Sequence, residues 1–107
     1  MTTEPGEVWL VDLGMAAKTR PMLIVSRKDE TAPRALSICA PVTTSNRGSA
    51  YEVPLGKSHF LPKDSFVNVQ GLQALGHHEL IRKLGRISVD DLSAVKKTLA
   101  WSLDLTP

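Results

Sequence analysis

The sequence predicts a mainly β fold closed by one C-terminal α-helix, its short strands forming a small barrel or a strongly bent sheet. Three observations predict it. Short apolar runs recur between turn residues as far as Ile87, the segment Ser65–Gln70 alternates at period two, and an apolar stripe at helical spacing follows only after Ser88.

The first strand is read at Glu7-Val8-Trp9-Leu10-Val11-Asp12, which is rich in strand formers and preceded by Pro5-Gly6. Pro21–Arg27 begins with a proline, which a strand tolerates at its first residue, and its apolar run predicts a central strand. After a charged turn at Lys28–Pro33, Ala35–Val42 returns to strand composition, and these two strands are expected to pair as an antiparallel hairpin. Thr43–Ser49 reads as a polar loop, Tyr51–Leu55 as a half-exposed strand and Gly56–Asp64 as a second turn region. Ser65–Gln70 ends in Gly71, which predicts a bulge or bend before Leu72–Leu75 continues. Gly76 and His77-His78-Glu79 break the pattern, and Leu84–Ile87 is predicted to add a short strand. The helix is predicted with Ser88 as N-cap and Asp90 and Asp91 in its first turn, where they complement the helix dipole. Leu92, Val95, Leu99 and Leu103 form its apolar stripe, and Lys96 and Lys97 are expected to face water.

The chain has 107 residues, 42% apolar and 22% charged, which suits one hydrophobic core and one domain over residues 1–107. Association with a second copy would help so small a protein by removing more apolar surface from water. Met1–Gly6 has no basic segment leading into an apolar run, and no stretch approaches the roughly 20 apolar residues of a spanning helix. A soluble, cytoplasmic protein with no membrane partner is therefore expected. Cys39, the single cysteine, lies within Leu36–Ala40 and reads as a small buried hydrophobe. A net charge of +2 is too mild to identify a nucleic-acid partner by itself, but Lys18, Arg20, Arg27 and Lys28 follow one another with no acid between them. They suggest a local positive face.

Metal and nucleotide motifs fail on spacing. His77 and His78 are neighbours that would point apart in a strand, His59 stands alone, and no CxxC or HxxxH accompanies them. Gly71 and Gly76 lack the spacing and the Lys-Ser/Thr of a phosphate loop. No metal and no cofactor is expected.

Two stretches carry a resemblance to a known family. Gly6–Leu13 followed by Arg20-Pro21-Met22-Leu23-Ile24-Val25-Ser26 is similar to the opening strand, loop and Arg-Pro-led second strand of the MazF/PemK/Kid toxins. Ala40-Pro41-Val42-Thr43-Thr44-Ser45 resembles that family's Val-Pro-hydrophobic-Thr-Thr/Ser strand end. Val69-Gln70, Lys83–Ser88 and the amphipathic closing helix agree with it. The resemblance implies an SH3-like, CcdB/PemK-like fold, a homodimer, and a cleft that takes single-stranded RNA or the disordered tail of a cognate antitoxin. It implies a toxin that cuts messenger RNA at specific sequences without a metal. The alternative on the same scaffold is a non-catalytic toxin that binds a protein such as DNA gyrase.

By resemblance Arg20 and Thr43 fall on the catalytic Arg and Thr, and the chemistry suits them. Metal-free cleavage uses the RNA 2′-hydroxyl as nucleophile, so the enzyme must stabilise extra negative charge on the phosphate and transfer protons. A guanidinium fork matches that charge, and a threonine hydroxyl can donate to a phosphate oxygen. Lys18, Thr44, Ser45 and Gln70 are candidate RNA contacts by position. The loop Gly14–Thr19 is shorter than usual in the family and carries no acid or histidine, so no general base is assigned. Trp9 and Trp101 are expected to pack in a core or interface rather than to stack on bases.

Overall fold

The computed structural model describes residues 1–14, 18–62 and 64–105; positions 15–17 in the first loop and 63 in the second turn region lie outside it. Its strands are β1 (Glu7–Asp12), β2 (Thr19–Ile24), β3 (Leu36–Thr43), β4 (Glu52–Pro54), β5 (Phe66–Asn68), β6 (Gln73–Gly76) and β7 (Leu80–Arg86), followed by helix α1 (Val89–Ser102). They form one antiparallel sheet in the order β4-β5-β3-β2-β1-β7, with β6 also paired to β3. The sheet is bent but not closed into a barrel.

The bend gives the sheet two buried faces. Leu23 joins Val8, Ala40, Val42, Val67 and Val95 in a core under α1, whereas its neighbours Met22 and Ile24 join Val11, Cys39, Leu75 and Leu80 on the other side. A strand covered on both faces needs apolar side chains at consecutive positions, which is why Met22-Leu23-Ile24 shows no alternation. Val8 and Val11, three residues apart on β1, point to opposite faces and supply one valine to each core, while the register shifts at Val8/Trp9 and Leu10/Val11 leave the extra residues Leu84 and Ile81 on β7.

Several boundaries differ from the sequence reading. β2 begins at Thr19 and stops at Ile24, because Val25 N and Ser26 N both turn to Ile38 O, at 2.9 and 3.3 Å. Its pairing with β3 is antiparallel as expected, with Met22 opposite Pro41. β7 runs from Leu80, longer than the predicted Leu84–Ile87, because it follows β1 along an open edge where Arg82 and Lys83 are exposed. Charged residues on an edge strand conceal it from a hydrophobicity reading.

The predicted bend near Gly71 is a 3-10 turn at Val69–Gly71, where the Asn68 side chain accepts from Gln70 N at 3.0 Å. One edge of β3 is consequently served by two short strands, β5 opposite Val42–Thr43 and β6 opposite Leu36–Cys39. A Cβ at residue 71 would lie 2.7 Å from Pro41 Cγ, so the turn reaches β3 only because residue 71 is glycine.

Ser88 Oγ accepts from Asp91 N at 3.1 Å and caps α1, with Asp90 and Asp91 in the first turn. Such a cap contributes about 0.5–2 kcal/mol. Val95 is fully buried and Leu92 and Leu99 pack against the core, but Leu103 lies beyond the last helical turn and is half exposed. Among the described residues no helix is long and apolar enough to cross a membrane.

Candidate active site

Arg20 stands on β2 and Thr43 ends β3, and both line one hollow of about 600 Å³. Ser45, from the loop after β3, and Gln70, from the 3-10 turn, line it as well. Four of the six candidate residues therefore converge, although they lie far apart in sequence. Lys18 and Thr44 are exposed nearby in sequence but do not line the hollow. Pro41, Arg47, Ser49, Tyr51, Glu52 and Asn68 complete the lining and were missed in the sequence. β5 brings in Asn68 through its pairing to β3 and β4 brings in Glu52 through its pairing to β5, while Arg47, Ser49 and Tyr51 come from the segment between β3 and β4; only the TTSNRGS run beginning at Thr43 signals that this loop continues the site.

Thr43 Oγ1 accepts a hydrogen bond from Ser45 N at 3.0 Å, which fixes the side chain and leaves its own O–H free to donate. Arg20 is exposed, so its guanidinium can reach a ligand without prior displacement of neighbours. The Glu52 carboxylate is held below the ordinary glutamate range by the backbone N–H groups of Ser49 and Arg47, helped by the Ser49 hydroxyl and the Arg47 charge. An acid so well supplied with donors is ionised and a weak base. Tyr51 turns its ring toward Trp101 of α1, with centroids 4.9 Å apart, and Trp101 is half exposed instead of entering the core. Trp9 packs against the second core and donates to Glu7 Oε1 at 3.1 Å.

A second hollow, about 630 Å³, lies beside the N-terminus between Met1, Arg27, Asp29, Arg34, Leu36, Ile38 and His77. Although slightly larger, it holds none of the candidate residues and mixes both charge signs around an apolar floor. Arg20 and Arg27 thus serve separate hollows, and Lys28 faces Glu4 at 4.0 Å, so the basic run does not form a single positive face. The histidines are equally dispersed. His77 Nε2 meets Ser37 Oγ at 2.9 Å, His59 edges Phe60, and His78 sits against Gly76. Cys39 is buried, and burial with the charge of Glu79 pushes its thiol up to about 12, so it is no nucleophile at neutral pH.

Residues 4–103 match the family model described as the PemK-like, MazF-like toxin of type II toxin-antitoxin systems. The chain is 33% identical to the probable endoribonuclease MazF5 of Mycobacterium tuberculosis, with 97% of each chain covered. Among solved structures, it superposes with a TM-score of 0.86 and 28% identity on a mycobacterial endoribonuclease in complex with its cognate antitoxin, covering 98% of both chains. The Mycobacterium tuberculosis toxin MazF-mt6 aligns at a TM-score of 0.81 and 27% identity over 94% of this chain and 99% of that one. On a family match across nearly its whole length, this chain belongs to the PemK-like, MazF-like toxins of type II toxin-antitoxin systems.

Proposed function

We propose that the chain is an endoribonuclease toxin whose hollow between β2, β3 and the Val69–Gly71 turn takes single-stranded RNA and cuts it by 2′-hydroxyl attack. The observation that carries this reading is the meeting of Arg20 and Thr43 in one hollow on a chain of this family. The 2′-oxygen bonds to phosphorus, the 5′-oxygen leaves, and the products end in a 2′,3′-cyclic phosphate and a 5′-hydroxyl. Arg20 stabilises the charge that builds on the phosphate and, being always charged, can hand a proton to the leaving oxygen but cannot act as base; water takes the 2′-hydroxyl proton and restores the one Arg20 gives. Thr43 holds a phosphate oxygen with its free O–H. Ser45 and Gln70 contact the strand from the same hollow, and Lys18 and Thr44 reach nucleotides flanking it. Glu52 does not serve as base, because its oxygens already accept from Arg47 and Ser49.

The chain acts in the cytoplasm as a homodimer of single-domain subunits, and a cognate antitoxin silences it by laying a disordered tail in the same hollow. That the relatives reported are named endoribonucleases favours cleavage over the non-catalytic alternative.

The test is cleavage of purified single-stranded RNA in EDTA. Products ending in a cyclic phosphate and no cutting of the matching DNA, which lacks the nucleophile, are expected. Arg20→Ala should lower the rate by about 10²–10⁴-fold, the usual cost of losing a charge-stabilising or proton-transferring group. Activity that survives both Arg20→Ala and Thr43→Ala would remove these assignments, and growth arrest with RNA left intact would sink the reading as a whole.

A further inference from the structure

Glu52 carries the wrong sign for a hollow that is to hold a phosphate backbone, so its presence there needs a reason. Its hydrogen bonds supply one. Arg47 N lies 3.0 Å from both carboxylate oxygens, and Ser49 donates to Oε1 through its N–H and its hydroxyl, each at 3.0 Å. One carboxylate thereby holds both ends of a turn whose middle residue, Gly48, has a φ of 68° and donates to Asn46 Oδ1 at 2.8 Å. Glu52 is itself anchored, since it pairs with Asn68 of β5, whose side chain in turn caps the backbone of Gln70. The chain of contacts runs from the turn bearing Arg47, through Glu52 and Asn68, to Gln70 across the hollow.

We infer that Glu52 is a positioning residue for RNA cleavage, its carboxylate clamping the Arg47–Ser49 turn so that Arg47 faces the RNA backbone beside Arg20 and Thr43. The inference rests on the ribonuclease reading. Arg47 supplies a second guanidinium that binds phosphate in ground and transition states alike, so the clamp governs binding more than chemistry.

The sign of the mutational effect separates a clamp from a passive charge. Deleting a lone negative charge beside a polyanion tightens binding, whereas deleting a clamp loosens it, because the turn must then be ordered at every encounter. The experiment compares whole wild-type protein with Glu52→Ala and Glu52→Gln, reading steady-state cleavage of a short single-stranded RNA and amide hydrogen exchange at Arg47 and Ser49. In the wild type both amides are protected. In Glu52→Ala they exchange freely, KM rises about 10-fold, and kcat moves by less than about 3-fold. Glu52→Gln, which keeps one acceptor oxygen, falls between the two. A lower KM in Glu52→Ala, or unchanged amide protection, overturns the clamp; an equal loss in kcat and kcat/KM overturns the positioning role. Wild-type protein that protects these amides yet cuts no RNA defeats the ribonuclease reading and the role that rests on it, an outcome distinct from normal cutting by every variant. Should Glu52→Ala fail to fold, Glu52→Gln decides alone, a raised KM supporting the clamp and a lowered one overturning it.

Discussion

Glu7 opens β1 as a buried carboxylate, and such a group is stable only where donors replace the water it has lost. Trp9 Nε1 and Glu4 N each donate to Oε1 at 3.1 Å, while Lys83 and Arg86 approach Oε2 at 3.5 and 3.6 Å. Burial pushes the pKa up, but the Trp9 and Glu4 hydrogen bonds and the Lys83 charge outweigh it, and the net direction is down from 4.5. A depressed folded value means that the stabilisation is full above the unfolded pKa and fades as pH falls through the folded one. Glu7→Gln should therefore destabilise the protein at neutral pH, and its gap from wild type in urea unfolding should shrink as pH falls below 4.5. A gap independent of pH would remove this account. Arg20 and Thr43 were nameable as candidates from the sequence because their Arg-Pro and Thr-Thr stretches resemble the family's. Glu7 and Glu52 were not, because a carboxylate's role is set by which donors the fold brings to it, and most of these come from other segments or from a turned loop.

At the scale of elements, the turn at Val69–Gly71 sets how closely β5 and β6 approach β3. Gly71→Ala places a Cβ within 2.7 and 2.9 Å of the Pro41 ring, and Pro41 lines the hollow two residues before Thr43. The substitution should cost about 1–3 kcal/mol in urea unfolding, as overpacking does, and should also slow RNA cleavage by shifting the end of β3. Lost stability with unchanged cleavage would show that Pro41 does not transmit the strain. Strand identities were largely readable, since β1 spans the predicted Glu7–Asp12 and the bend after Gln70 lies where Gly71 signalled it. The unreadable part was β7, whose exposed Arg82 and Lys83 look like loop until β1 supplies its partner backbone. Leu103 misled for a related reason: helical spacing continued past the point where the helix ends.

Over the whole molecule the charge is nearly balanced, so the RNA affinity that the ribonuclease reading requires must come from local cations and not from the net +2. Three phosphate contacts from Lys18, Arg20 and Arg47 predict that log affinity falls with log salt at a slope of about −2, and Arg47→Ala should reduce it by about 0.7. Filter binding of uncleavable single-stranded RNA across salt concentrations measures both, and a slope near zero would exclude backbone recognition by this hollow. The site's parts come from β2, the end of β3, the loop after it and the turn following β5, so no segment of the chain contains it alone. On the ribonuclease reading, this ordering in sequence becomes an ordering in time. A nascent chain still on the ribosome carries Arg20 and Thr43 long before Gln70 emerges, and sheets built from such distant pairings form slowly, on the order of milliseconds to seconds. A nascent or prematurely ended chain that lacks Gln70 therefore has an incomplete hollow, and the proposed cutting awaits the rest of the sheet.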